Sequence, residues 1–132
     1  MGRHFFPVFT PPWNRCGGHT LALLRSMEYA AVSRSSGSRP TPPADLVEIP
    51  VHADLHTMRH PGPMDGWQRL LSDVARGIAD GRCGIMIHHQ RMNDAAFGFL
   101  DMLLGAVGRR RHLQAVTFRD LVITKKHRKP YI

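Results

Sequence analysis

Residues 65–89, DGWQRLLSDVARGIADGRCGIMIHH, combine a helix pattern with a short apolar run. Apolar side chains recur at i, i+3, i+4, i+7 and i+11, at Trp67, Leu70, Leu71, Val74 and Ile78. This spacing predicts an amphipathic helix that begins near Asp65, as its N-cap, and ends at Gly81. The apolar run that follows predicts a buried strand ending at the histidine pair His88 and His89.

The upstream sequence predicts further strands and one helix. Apolar residues alternate over 46–55, at Val47, Ile49, Val51, Ala53 and Leu55, which is the period of a half-buried strand. Pro50 favours an edge position or the start of a strand. The runs Phe5–Thr10 and Ala31–Ser33 predict short strands, with a helix over His19–Ala30 between them. Residues 35–43 are rich in Ser, Gly and Pro and predict a loop.

The downstream sequence predicts one long helix and a short ending. Asn93 is the expected N-cap of a helix that ends at Gly108, with an apolar face of Phe97, Leu100, Leu103, Leu104 and Val107. Ala115-Val116 predicts a last short strand. Thr117 and Asp120 form a capping-box pattern at the start of a final helical turn.

Strands that alternate with helices indicate an α/β fold with parallel strands. The 132 residues are enough for one domain. We expect this domain to span residues 1–121, followed by a flexible basic tail over 122–132. The two cysteines, Cys16 and Cys83, lie far apart and are expected to be reduced thiols.

The chain is basic, with 18 Lys+Arg against 10 Asp+Glu and a formal net charge of +8. Much of the charge is concentrated in residues 109–112 (RRRH) and 125–129 (KKHRK). Neither segment has the interleaved aromatic residues that stack on bases, so nucleic-acid binding is not expected. No apolar stretch is long enough to span a membrane, and no secretory signal is recognisable, so we expect a cytoplasmic protein.

Polar side chains follow three of the predicted strands: residues 11–15 (PPWNR), 54–56 (DLH) and the pair His88-His89. In parallel α/β folds, catalytic groups gather at the carboxyl ends of strands. A histidine there can act as a general acid or base or bind a metal, or it can simply end the strand as a polar residue. Asp54 can orient a histidine or cap a turn. Trp13 can form an aromatic wall against a sugar or serve as a packing residue.

Residues 9–15 (FTPPWNR), 51–56 (VHADLH) and 84–89 (GIMIHH) resemble, in order and rough spacing, the later motifs of the polysaccharide deacetylase family. These are the NodB-like carbohydrate de-N-acetylases. The resemblance extends from Phe5 to about Leu121. It implies a distorted (β/α) barrel in which a divalent metal, such as zinc, activates water to attack an N-acetyl carbonyl of a carbohydrate.

The resemblance also implies roles for individual residues. Met86-Ile87-His88 matches the family's Leu-x-His step, which makes His88 the general acid for the leaving amine and Met86 part of the acetyl pocket. Asp54 matches the aspartate that tunes this histidine. Trp13 matches the aromatic position whose backbone N–H helps to hold the oxyanion. The neighbouring residues assigned to substrate binding are Pro12, Asn14, Arg15 and His89.

The sequence departs from the family pattern in three places. Thr10 stands where the family usually has an arginine, for which Arg15 is a substitute candidate, and no tryptophan follows Asp54. No Asp-Asp motif, which supplies the base and a metal ligand, precedes the Pro-Pro step. We therefore expect the chain to carry the general-acid half of the site and to bind no metal alone.

Residues 56–60 (HTMRH) have the His-Thr-x-x-His form of the family's metal motif, although they lie after the Pro-Pro step. Histidines at i and i+4 share a metal when they lie on a helix. The alternative is that His56 and His60 are a histidine pair in a loop.

A closed (β/α) barrel needs about 200 residues or more. The resemblance therefore implies a partial barrel, the C-terminal half of a deacetylase domain. Either the other half lies outside this chain or the half-barrel pairs with itself or another chain. Two alternatives remain open: a basic α/β interaction module that binds nucleic acid or an acidic partner, and an inactive remnant.

Overall fold

The computed structural model describes residues 5–55 and 63–127. By their internal contacts the described residues form two compact units, one made of residues 5–50 and 116–127, the other of residues 51–55 and 63–115. Both contain parallel strands and helices, so the predicted α/β class with parallel strands is confirmed.

The first unit is built on a three-stranded sheet in the order β1-β2-β3. The strands are β1 (Val8–Phe9), β2 (Ala31–Ser35) and β3 (Val47–Val51). Helix α1 (Gly18–Ser26) connects β1 to β2, which run parallel with Val8 opposite Ala31. The buried residues that hold helix and sheet together are Leu21, Leu24, Val32 and Leu46.

The second unit pairs β4 (Ala53–Leu55) in parallel with β5 (Ile85–Ile87). Helix α2 (Pro63–Ala79) connects the two strands, and α3 (Asp94–Gly108) follows β5. One apolar core joins strands and helices through Ala53, Leu55, Leu70, Val74, Ala96 and Phe99. Trp67 of α2 packs against Phe99 of α3, with ring centroids 5.1 Å apart.

The predicted helix starts and stops are largely confirmed. Asn93 caps α3, its side-chain oxygen accepting a hydrogen bond from the Ala96 N–H at 3.0 Å. Gly81 follows the end of α2 with a φ of +81°, a conformation that glycine adopts without strain. Helix α2 begins at Pro63 rather than at Asp65, and proline is well suited to the first turn because it lacks the N–H that would go unpaired there.

Two strand predictions were wrong. The alternating run 46–55 is two strands, β3 and β4, which belong to different sheets and are separated at His52. An alternating pattern of apolar residues indicates only which side chains face a core. Because alternate residues are buried in both strands, the pattern does not reveal that the strand is interrupted at His52. Ala115-Val116 lies outside the strands, and Val116 is exposed.

The capping box at the end of the chain is confirmed. Thr117 N–H donates to Asp120 Oδ2 at 2.8 Å, and Asp120 N–H donates to Thr117 Oγ1 at 3.3 Å. These bonds open α4 (Phe118–His127), which continues through the expected domain boundary at residue 121. Val122 is buried with Ala31 and Ile49, so α4 contributes to the core of the first unit.

Candidate functional site

Asp54 and His88 lie at neighbouring strand ends in the second unit. Asp54 is in register with Met86, and the His88 N–H donates to the Leu55 carbonyl at 3.1 Å, which extends the pairing beyond β5. Because side chains alternate along a strand, Asp54 and Met86 face away from the core that takes up Ala53, Leu55 and Ile85. Parallel pairing therefore brings the polar groups together on one face of the strand pair.

The two side chains are within hydrogen-bond distance of each other. His88 Nε2 lies 2.9 Å from Asp54 Oδ1, with the side chains 41% and 43% exposed. At this distance an N–H on Nε2 donates to the carboxylate. A carboxylate that holds an imidazole in this way fixes the orientation of the ring. The pair is thus accessible to a ligand and can serve in acid–base chemistry.

The structure places the other predicted residues of this unit around the pair. Met86 is half-buried beside Asp54 in the register, while His89 is exposed and begins a 3-10 turn over His89–Arg91. The Arg91 N–H donates to the His88 carbonyl at 2.7 Å, so the backbone turns sharply just after His88. Of the two adjacent histidines, His88 is the one that contacts Asp54.

Pro12, Trp13, Asn14 and Arg15 belong to the first unit, where they follow β1. Pro12–Asn14 form a 3-10 turn in which Trp13 and Asn14 have φ values of 56° and 55°. Two successive non-glycine residues in the left-handed region store backbone strain, which is found often at functional sites. Trp13 is 82% exposed, and the buried Asn14 Oδ1 accepts no hydrogen bond within the described part of the chain.

The structure therefore presents the predicted residues as two groups, each within its own unit. The first contains Asp54, Met86, His88 and His89; the second is the turn of residues 12–15. The Trp13 ring is exposed and lies outside the described apolar cores.

Sequence reasoning missed His52, which lies between β3 and β4. Its Nδ1 accepts a hydrogen bond from the Gly84 N–H at 3.1 Å. The signal was present, since His52 stands in the same motif as Asp54, but a polar residue at an outward position of an alternating strand is expected to face water.

Sequence reasoning also missed Arg34, which is fully buried at the end of β2. Its guanidinium donates to Glu48 Oε1 at 2.6 Å and to the Pro40 carbonyl, and it contacts Cys16 Sγ at 3.9 Å. Because Glu48 lies on β3 and Pro40 lies in the loop between β2 and β3, the buried guanidinium links β2 to both elements.

The described residues do not fit the divalent metal that the family resemblance implies. Within residues 5–55 and 63–127, no group of three or more His, Cys, Asp or Glu side chains is arranged to hold a metal ion. His56 and His60 lie outside the described residues.

No protein-family model, curated protein or solved structure matches the chain. Across the described ranges, no helix is both long and apolar enough to cross a membrane.

Proposed function

We propose that the chain carries the general-acid half of a polysaccharide deacetylase-like site that acts on N-acetyl groups of a carbohydrate. The observation that supports this proposal most directly is the 2.9 Å contact between His88 Nε2 and Asp54 Oδ1 at adjacent ends of parallel strands. The motif resemblance assigns these two residues the roles of acid and tuning aspartate, and their contact is what those roles require.

In this proposal His88 acts on the leaving nitrogen. When water adds to the acetyl carbonyl and the C–N bond breaks, the departing amine needs a proton, which the imidazolium of His88 supplies. Asp54 keeps that imidazolium oriented and balances its charge. Met86 contributes apolar surface for the acetyl methyl group. His89 contributes to sugar binding in the second unit, and Pro12, Trp13, Asn14 and Arg15 form a separate sugar-binding candidate in the first unit. The base and the metal ligands come from residues other than those described.

The exposed apolar residues support a partial barrel. Ile87 of β5 and Phe97, Met102 and Leu104 of α3 are each more than two-fifths exposed. Parallel strands are normally covered on both faces. We therefore propose that the strand pair β4–β5 is completed by further barrel elements, supplied by a missing N-terminal half or by a second copy of the chain.

Acetate release from an N-acetylglucosamine oligomer tests the proposal when it is measured with added Zn²⁺ and in a context that also supplies the base and the metal ligands. Removal of a general acid costs about 10²- to 10⁴-fold in rate. We expect His88→Gln to lose that factor in rate. The control variant His19→Gln, which changes an exposed histidine of α1 outside the proposed site, should retain the rate to within a few fold. Release that survives in His88→Gln would show that His88 is not the acid.

Binding of the same oligomer gives a second measurement that does not need the missing half. We expect it to shift the NMR signals of His88 and the Met86 methyl group in the wild-type chain. The absence of both acetate release and these shifts would contradict the proposal.

A second candidate function rests on a different observation. Arg109, Arg110, Arg111 and His112 follow α3, all four are exposed, and no carboxylate among the described residues pairs with the three arginines. An unpaired basic cluster attracts a polyanion or an acidic protein surface. Affinity for a polyanion that falls steeply with salt, and that is lost when the three arginines are replaced by glutamine, would favour this interaction module over the enzyme.

A further inference from the structure

The start of β5 is fastened to the backbone just before β4 by three hydrogen bonds. The Gly84 carbonyl accepts from the N–H groups of His52 at 2.8 Å and Ala53 at 3.2 Å. In the opposite direction the Gly84 N–H donates to the His52 Nδ1 at 3.1 Å. His52 therefore both donates to and accepts from the same residue, and its half-buried ring provides the acceptor.

We propose that His52 is a positioning residue for the Asp54–His88 pair. Its side chain accepts a hydrogen bond from Gly84, and this bond fixes the register of β5. Any effect of His52 on catalysis rests on the proposed function. The positioning itself does not, because the contacts of His52 with Gly84 and of Asp54 with His88 are independent of any reaction.

The need for such a residue follows from the length of the strands. β4 and β5 have three residues each, so their ladder contains few hydrogen bonds. A slip by one residue moves a strand by about 3.3 Å and turns its side chains to the opposite face. That slip would remove His88 from Asp54 and expose Ile85. With Gly84 held by His52 at one end and the His88 N–H bonded to Leu55 at the other, the register is fixed from both sides.

The hydrogen bond also determines the tautomer of His52. A ring nitrogen can accept only when it carries no proton, so the proton of the neutral imidazole is on Nε2. An aliphatic side chain at this position would leave the Gly84 N–H without its acceptor. The side-chain oxygen of an asparagine lies about as far from the backbone as Nδ1 and can replace it.

The test compares His52→Leu with His52→Asn, and it reads the Asp54–His88 pair by NMR. In a protein with wild-type His52, Asp54→Asn shifts the ring signals of His88 because it removes the carboxylate. We expect that shift to be lost in the His52→Leu background, in which the pair is no longer held, and to be retained in the His52→Asn background. A purely structural role of His52 would lower the melting temperature and leave the shift in the folded molecules intact.

Retention of the full shift in His52→Leu would overturn the proposal, and so would its loss in His52→Asn. If His52→Leu does not fold, the wild-type protein still provides a test. In ¹⁵N-labelled protein, the proposal requires an unprotonated His52 Nδ1 that is coupled to the Gly84 amide across the hydrogen bond, and a protonated Nδ1 would overturn it. A positive NMR result without any acetate release would mean that the positioning role stands and the proposed function fails.

Discussion

Arg34 and Glu48 form an ion pair in which only one partner is shielded from water. The two groups meet at 2.6 Å between Nε and Oε1, with Arg34 fully buried and the Glu48 side chain 31% exposed. Arg25 and Asp45 meet with nearly the same geometry, at 2.7 Å between Nε and Oδ2, but on the surface, with both side chains more than half exposed. The first unit thus contains two similar ion pairs that differ in burial.

We expect Arg34→Met to lower the free energy of unfolding by about 3 kcal/mol, because it leaves the Pro40 carbonyl and Glu48 without their donor. The matched variant Arg25→Met should cost less than about 1 kcal/mol, since an exposed pair is solvated in either state. Urea denaturation of the full chain measures both. Equal losses would show that burial does not decide the strength of these pairs.

Gly77 of α2 is expected to tolerate no side chain. A Cβ at this position would lie 2.9 Å from Cys83 Sγ and 3.0 Å from the Cys83 Cα, and the backbone atom cannot move aside cheaply. Gly77→Ala should therefore destabilise the protein by about 1–3 kcal/mol. Gly98→Ala in α3 meets nothing within 4 Å and should stabilise by about 0.5–1 kcal/mol. Thermal melts that shift in the same direction for both variants would contradict this expectation.

The capping box should make stability depend on pH in the acid range. Hydrogen bonds from the Thr117 hydroxyl and N–H lower the pKa of Asp120 below its ordinary 3.8. The folded state then binds this proton less tightly than the unfolded state, so the stabilisation is complete above the ordinary value and is lost as pH falls through the lowered one.

The measurement is the melting temperature between about pH 2 and pH 6. In Asp120→Asn, the melting temperature should fall less steeply with decreasing pH than it does in the wild type, which means a flatter acid limb of the pH profile. Asp45, whose pKa is lowered by its hydrogen bond from Arg25, should contribute with the same sign, so Asp45→Asn should flatten the limb further in the double variant. An unchanged acid limb in Asp120→Asn would show that the capping box has no role in the pH dependence.

Cys83 should react slowly in the folded protein. Burial raises the pKa of its thiol above the ordinary 9.0, and the charge of Asp73 raises it further. Because the thiolate is the reactive form, alkylation at about pH 8 should be slower in the folded chain than in urea. In a Cys16→Ser background, Cys83 is the only thiol that can react. Asp73→Asn should accelerate its alkylation but leave it slower than in urea, because burial is the larger cause of the raised pKa. Equal rates with and without urea would contradict the assigned burial.

Local signals in the sequence predicted much of this fold. The caps at Asn93 and in the Thr117–Asp120 box depend on residues three apart, and both were predicted correctly. The helical spacing of Leu70 and Val74 was likewise enough to identify the face of α2 that meets the core. The break at His52 was not predictable, because an alternating pattern looks the same in one strand or in two.

The candidate site likewise combines features that the sequence predicted with features that only the structure revealed. The sequence by itself determined that polar residues follow the strands and that Asp54, His88 and His89 are chemically suited to acid–base work. Only the tertiary structure decided that His88 rather than His89 contacts Asp54, that His52 holds Gly84, and that Arg34 is buried. The Asp54–His88 and His52–Gly84 contacts join residues distant in the chain. Parallel pairing of β4 and β5 across a helical connection sets their register, and no local preference of the sequence contains that information.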